Sequence, residues 1–153
     1  MNEAAFGEDE LDLFGMTGTY NHHVDDKGRI NFPAKLREQL GETFWIARGT
    51  SDKFLAVYSV EGWKDVLRQV RDLRGPQGEK LRRWICSGAV EVTPDKQGRI
   101  LIPQALRKYA ELERDVVIAG TGKKAEIWDS SKWQQSDEAF DPMASGQLDG
   151  LDL

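Results

Sequence analysis

Asp25-Asp-Lys-Gly-Arg-Ile-Asn-Phe-Pro-Ala-Lys-Leu-Arg37 is answered, 70 residues later, by Asp95-Lys-Gln-Gly-Arg-Ile-Leu-Ile-Pro-Gln-Ala-Leu-Arg107. Seven of the 13 positions are identical: Asp, Gly, Arg, Ile, Pro, Leu and Arg. Average residue usage gives about one match by chance. The correspondence runs on. Ile46-Ala47 answers Ile118-Ala119 after a two-residue insertion, Val57-Tyr58 answers Ile127-Trp128, and Trp63 answers Trp133. A repeat of this period marks a duplicated structural unit, so the chain is read as one half-domain written twice.

Each copy has the same local plan. Short extended segments at 19–24 and 89–93 lead into a turn, where Gly28 and Gly98 supply backbone freedom for a tight reversal. A second strand follows, Arg29 to Phe32 and Arg99 to Ile102, so the Gly-Arg pair reads as a hairpin tip. Pro33 and Pro103 end these strands and suit the first turn of a short helix. Gly41 suits its C-terminal stop. Apolar runs at Phe44–Ala47 and Val116–Ala119, then at Leu55–Tyr58 and Ala125–Trp128, have strand length.

Ser59 and Asp129, again 70 apart, are N-cap residue types. Trp63, Val66, Leu67, Val70 and Leu73 recur at helical spacing, and Gly75-Pro76 breaks that helix. A second helix is expected over about Gln77 to Cys86, with Leu81, Trp84 and Ile85 on one side and Cys86 as a small core residue. A weaker helix from Ser131 ends before Pro142. The domain plan is an acidic extension (1–15), a first half (16–74), a connecting helix (75–88), a second half (89–140) and a disordered acidic tail (141–153). Short strands interleaved with helices, duplicated, predict a β-rich α+β fold. In it two half-barrels complete one core about an internal pseudo-twofold axis.

The net charge of −5 conceals a segregation. All 21 Lys and Arg lie between Met16 and Trp133, where only 16 acids accompany them, so this body carries +5. Residues 1–15 and 134–153 each contribute five acids and no base, −10 together. Solubility is the plainest reading of such tails. The acidic N-terminus is not led by Lys or Arg as a secretory signal would be. No apolar run approaches the roughly 20 residues of a membrane helix. The single cysteine excludes an internal disulfide and fits a reducing, cytoplasmic compartment.

The two Asp-x-x-Gly-Arg turns are the candidate site. Glycine lets the backbone come close to a phosphate, and Arg offers a planar donor fork that also matches the O6 and N7 of guanine. The candidate DNA-binding residues are Lys27, Gly28 and Arg29 in the first copy and Lys96, Gly98 and Arg99 in the second. Asp25 and Asp95 are read as turn supports. With two cations at its apex, the first copy is expected to bind more strongly. On residues alone, an Asp–Arg pair that only stabilises a hairpin stands level with DNA contact.

Met16-Thr-Gly-Thr-Tyr-Asn-His-His-Val-Asp-Asp-Lys-Gly-Arg-Ile-Asn-Phe-Pro-Ala-Lys-Leu-Arg37, together with the second Gly-Arg-Ile-Leu-Ile-Pro block, closely resembles the MraZ family. The resemblance covers about Met16 to Trp133. It implies an AbrB-like fold, a duplicated swapped-hairpin double-split pseudobarrel with flanking helices, assembled as a homo-oligomeric ring. It further implies transcriptional regulation of the bacterial division and cell-wall gene cluster, at repeated promoter boxes of double-stranded DNA; a nucleoid-associated repressor is expected, since occupancy near the promoter obstructs polymerase. The family's binding Lys and Arg fall on Lys27 and Arg29. No cofactor, metal, small-molecule substrate or catalysis is expected.

Other constellations are weaker. His22 and His23 point to opposite faces of a strand, and no third His completes a metal site. A small hydrolase built on Cys86, whose local sequence supplies no evident base, or on the His22/Asp25 region is a weaker alternative. Core packing is favoured for Trp63, Trp133, Tyr58 and Trp128, and a solvated face or subunit contact for Arg71, Arg74, Arg82 and Arg83. The alternative of another class is an oligomeric scaffold that uses the same fold without DNA.

Overall fold

The structure, a computed structural model, describes residues 15–153. The acidic extension therefore lies, Gly15 apart, outside the described residues. The first copy supplies β1 (Thr19–His23), β2 (Arg29–Asn31), α1 (Ala34–Leu40), β3 (Phe44–Arg48), β4 (Leu55–Tyr58) and α2 (Val60–Arg71). After α3 (Gly75–Ser87), the second supplies β5 (Val90–Val92), β6 (Arg99–Leu101), α4 (Gln104–Tyr109), β7 (Asp115–Gly120), β8 (Ala125–Asp129) and α5 (Ser130–Ala139). The fold is α+β and β-rich, as the sequence predicts.

One antiparallel sheet has the order β1-β7-β8-β4-β3-β5, and β2 pairs with β6 in a separate two-stranded ribbon. Exchanging the two copies leaves both arrangements unchanged. The registers locate the pseudo-twofold axis. Ile30 faces Ile100 at the centre of the ribbon, and Ala56 faces Glu126 at the centre of the sheet. Each pair is 70 residues apart, so the axis passes through both. The larger sheet is not closed into a barrel; β1 and β5 are its edges.

The local hairpin reading needs correction. β1 and β2 barely pair with each other, meeting at one bridge between Val24 and Ile30. β1 instead pairs with β7 along Thr19–Ala119 to His23–Asp115, and β2 pairs with β6. Each copy thus lends its opening strands to the other. The cause is burial: neither half alone covers its Ile and Phe side chains. Ile30, Ile100, Phe32, Ile102, Phe44, Ile46, Ile118 and Ile127 share one core at 2% exposure or less. Each buried side chain of this size contributes about 1.5–3 kcal/mol.

Helices α1 and α4 plug this core with Leu36, Leu40 and Leu106. Pro33 and Pro103 occupy their N-cap positions, where a missing N–H costs nothing. Gly41 stops α1 at φ +93°, and its repeat counterpart Glu111 also has a positive φ, +56°. A non-glycine residue there carries roughly 1–2 kcal/mol of strain. Glu111 also holds Lys132 at 2.6 Å.

Ser59 caps α2 by accepting a hydrogen bond from the Gly62 N–H (3.0 Å). Asp129 does not cap α5; its carboxylate accepts from the Glu113 N–H and the Ser131 hydroxyl instead. The stripe on α2 is only partly covered, with Trp63 and Val70 buried and Leu67 37% exposed. Cys86 is a further correction: it is exposed rather than a core residue, because α3 buries no side chain fully. Trp84 is held from one side by the Arg48 guanidinium, 4.2 Å from its ring centroid. Arg82 donates to the Val70 and Leu73 carbonyls, tying α3 to the C-terminal end of α2. The tail after α5 runs in exposed turns.

Because Ile30 and Ile100 are related by the axis, Ile30→Ala and Ile100→Ala should destabilise the chain to a similar degree. Each should cost about 2–5 kcal/mol. Urea denaturation monitored by Trp fluorescence checks this, and a large inequality between the two would contradict a shared, symmetric core.

Candidate nucleic-acid interface

Both Gly-Arg turns are built by one carboxylate. Asp25 Oδ1 accepts from the backbone N–H groups of Lys27 and Arg29, each at 2.9 Å, and Oδ2 accepts from Arg29 Nε at 3.0 Å. Gly28 N–H donates to the Asp25 carbonyl and Asp25 N–H to the Arg29 carbonyl. Asp95 repeats every contact with Gln97, Gly98 and Arg99. Gly28 at φ +82° and Gly98 at φ +81° take the left-handed conformation these turns require.

These turns are not free hairpin tips. Phe32 N–H donates to the Gly98 carbonyl and Ile102 N–H to the Gly28 carbonyl, both at 2.9 Å. Each glycine is therefore the last rung of the ladder between β2 and β6, and each turn is fixed by the other copy. The sequence reading missed what covers them. A Cβ on Gly28 would meet the Arg107 guanidinium at 3.0 Å, and one on Gly98 would meet that of Arg37 at 2.9 Å. Arg37 Nε donates to the Phe32 carbonyl and Arg107 Nε to that of Ile102. Two guanidiniums thus attend each turn, Arg29 with Arg107 and Arg99 with Arg37. The signal was present, since Arg37 and Arg107 belong to the seven identical positions of the repeat.

Arg29 and Arg99 remain about one-third exposed. Asp25 and Asp95 engage only their Nε among the side-chain donors, so the terminal guanidinium nitrogens make no hydrogen bond within the described residues. Lys27 and Lys96 are exposed on the same turns. Lys27 stands beside Gly28, whereas Gln97 takes that place in the second copy. The structure therefore gathers Lys27, Gly28, Arg29, Lys96, Gly98, Arg99, Asp25 and Asp95 on the ribbon and its two ends. Chemically this is a donor-rich, cationic strip suited to an anion with repeating spacing.

The remaining candidates lie elsewhere. His22 is half-buried and His23 exposed, on opposite faces of β1. Burial, then the charge of His23, lowers the His22 pKa. Among the described residues no three His, Cys, Asp or Glu side chains converge as metal ligands. A surface hollow of about 880 Å³ between α1 and α2 carries Glu38, Glu42, Glu61 and Asp65. Its carboxylates would repel a phosphate backbone. Trp63 stacks on Trp45, and Trp128 on Phe54, as packing rather than as open base-stacking platforms.

Comparison with known proteins follows the same two-copy division. A family model described as "MraZ protein, putative antitoxin-like" matches twice, over residues 16–81 and 85–147. Curated relatives bearing the name "Transcriptional regulator MraZ" include one from Acetivibrio thermocellus, 48% identical with 76% of this chain and 82% of the relative covered. One from Thermoanaerobacter sp. is 40% identical over 90% of this chain and 99% of its own length. One from Moorella thermoacetica is 38% identical over 86% and 96%.

The backbone N–H groups and the Arg guanidinium hold the Asp25 and Asp95 carboxyls below the ordinary carboxylate pKa. A depressed native pKa contributes stability that is complete above the unfolded pKa of about 3.9 and disappears as pH falls through the native value. The stability gap between the wild type and an Asp25→Asn/Asp95→Asn variant should therefore be widest near neutrality and close below about pH 4. Denaturant titrations across pH 2.5–7 measure it; a gap independent of pH would contradict the ionised-carboxylate account.

Proposed function

This chain belongs to the MraZ family of transcriptional regulators, and from that premise we propose that it binds double-stranded DNA through the β2–β6 ribbon and its Gly-Arg turns. The observation that carries the reading is the pair of turns locked into one ladder, with Arg29 and Arg99 on one side of it. A two-stranded ribbon fits the major groove of B-DNA, roughly 12 Å wide. Lys27 and Lys96 supply phosphate contacts that set position, while Arg29 and Arg99 reach guanine edges. The first copy, with Lys27 beside its glycine, contributes more.

One ribbon carries few contacts, so tight binding comes from repetition. Several copies in a homo-oligomer, taken to be a ring, occupy successive promoter boxes, and each later contact gains from effective concentration. The half-exposed apolar side chains of α2 and α3, Leu67 and Leu81, offer that assembly a surface. Occupancy at the promoter obstructs polymerase, which makes the chain a non-catalytic repressor of the division and cell-wall gene cluster. It works in the cytoplasm at the nucleoid. Among the described residues no helix is long and apolar enough to cross a membrane.

Fluorescence anisotropy with repeat-containing promoter DNA and a scrambled duplex tests the reading. Arg29→Ala should lose about tenfold or more in affinity for the promoter duplex and most of its preference over the scrambled one. Lys27→Ala should weaken both and reduce the salt dependence by about one phosphate contact. Unchanged promoter affinity in Arg29→Ala would remove the site. An intact oligomer with no salt-sensitive binding would favour the scaffold alternative.

A further inference from the structure

The two Arg side chains of the ribbon are equivalent under the pseudo-twofold, so by themselves they read a DNA site the same way from either end. The ribbon's remaining outward positions are not equivalent. In the β2–β6 register Arg29 faces Leu101 and Asn31 faces Arg99, while Ile30 and Ile100 fill the inner face. Side chains alternate along a strand and cross-strand partners share a face. Arg29, Leu101, Asn31 and Arg99 therefore form one outward square, with the two Arg on a diagonal of about 7–8 Å. Asn31 and Leu101 occupy the other diagonal and are exact repeat counterparts, 70 residues apart.

Both residues are idle in the fold. Asn31 is exposed, and its amide makes no hydrogen bond to the described residues. Leu101 is 56% exposed, alone among the large apolar side chains of the described strands in being exposed. A lone exposed Leu is ordinary on a protein surface. Here it stands between two guanidiniums, where a solubilising residue would serve better unless an apolar group meets it. In a major groove the apolar group on offer is the 5-methyl of thymine, and the edge that matches a carboxamide is the N6 and N7 of adenine.

Resting on the DNA reading above, we infer that Asn31 and Leu101 are the specificity pair of the ribbon. Asn31 takes an adenine edge, Leu101 packs on a thymine methyl, and their difference gives the complex a direction that the Arg pair lacks. The consequence is an asymmetric box: Arg contacts at two equivalent positions, with an adenine read by one copy and a thymine by the other.

The test uses the full chain and the tightest duplex that it recovers from a random library. Each dT is replaced singly by deoxyuridine, which removes only the 5-methyl, and each dA by 7-deazadeoxyadenosine, which removes only N7. The wild type should lose about fourfold at one or more dT positions, the worth of one buried methyl. Leu101→Ala should bind the parent duplex that much more weakly and be indifferent to deoxyuridine there. Asn31→Ala should likewise become indifferent at a dA where the wild type loses about fivefold or more. Both side chains are exposed, and circular dichroism verifies that the variants fold. Wild-type indifference at every dT, or a methyl effect that survives in Leu101→Ala, overturns the Leu101 assignment; the matching dA results overturn that of Asn31. Arg29→Ala, run in parallel, separates the two levels. If the selected duplex is lost in Arg29→Ala while the substitution scans are flat, only this inference falls. If the chain enriches no duplex, the DNA reading falls with it.

Discussion

Two reciprocal hydrogen bonds, Phe32 N–H to the Gly98 carbonyl and Ile102 N–H to the Gly28 carbonyl, make one ribbon of two turns. Each is worth only about 0.5–1.5 kcal/mol net. Their importance is geometric. They fix the register that turns Ile30, Ile100, Phe32 and Ile102 into the core and Arg29 and Arg99 outward. A slip of one residue would exchange the two faces and put the guanidiniums in the hydrophobic interior. The swap of β1 to β7 follows from the same demand, since the inward Ile and Phe side chains need the other copy as cover.

The electrostatics of the site are local, which is why an acidic protein can present a cationic strip. At physiological ionic strength charges separated by more than about 8 Å are largely screened. Lys27, Arg29 and Arg107, with Lys96, Arg99 and Arg37, sit within the ribbon and its ends, whereas residues 1–15 and 134–153 carry ten acids and no base. The hollow between α1 and α2 carries Glu38 and Glu42 beside Glu61 and Asp65, which pair with Lys64 and Arg68. Asp25 and Asp95 do not cancel the strip. Each spends one oxygen on backbone N–H groups and the other on Nε of its Arg, fixing the guanidinium while leaving its outer nitrogens available. In the same way Arg37 and Arg107 need glycine beneath them, because a Cβ would stand within 3.0 Å of the guanidinium.

The repeat made much of this legible in the sequence. A 70-residue offset with shared Asp, Gly, Arg, Ile, Pro, Leu and Arg announces two equivalent units, and equivalence under an axis is what the ribbon and sheet registers display. Partner choice was not legible from local pattern: alternation places Ile30 inward but does not say which strand lies beside it. Helical spacing puts Cys86 with Trp84 and Ile85 but does not show how far that face is covered, and Cys86 is exposed. Asp129 has an N-cap residue type, yet its carboxylate is taken by Glu113 and Ser131, a tertiary choice no local rule contains. The basic stretch that holds Arg82 reads locally as a solvated face or subunit contact, but the bend between α2 and α3 brings this side chain to the Val70 and Leu73 carbonyls.

The central claim is that both turns meet DNA as a single unit. Amide hydrogen exchange of the full chain, with and without its selected duplex, tests it most directly. The account predicts that DNA slows exchange together in residues 26–32 and 96–102, with little change along α2 and α3 beyond any effect of assembly. Slowing confined to one turn, or to the helices with the ribbon unaffected, would contradict it.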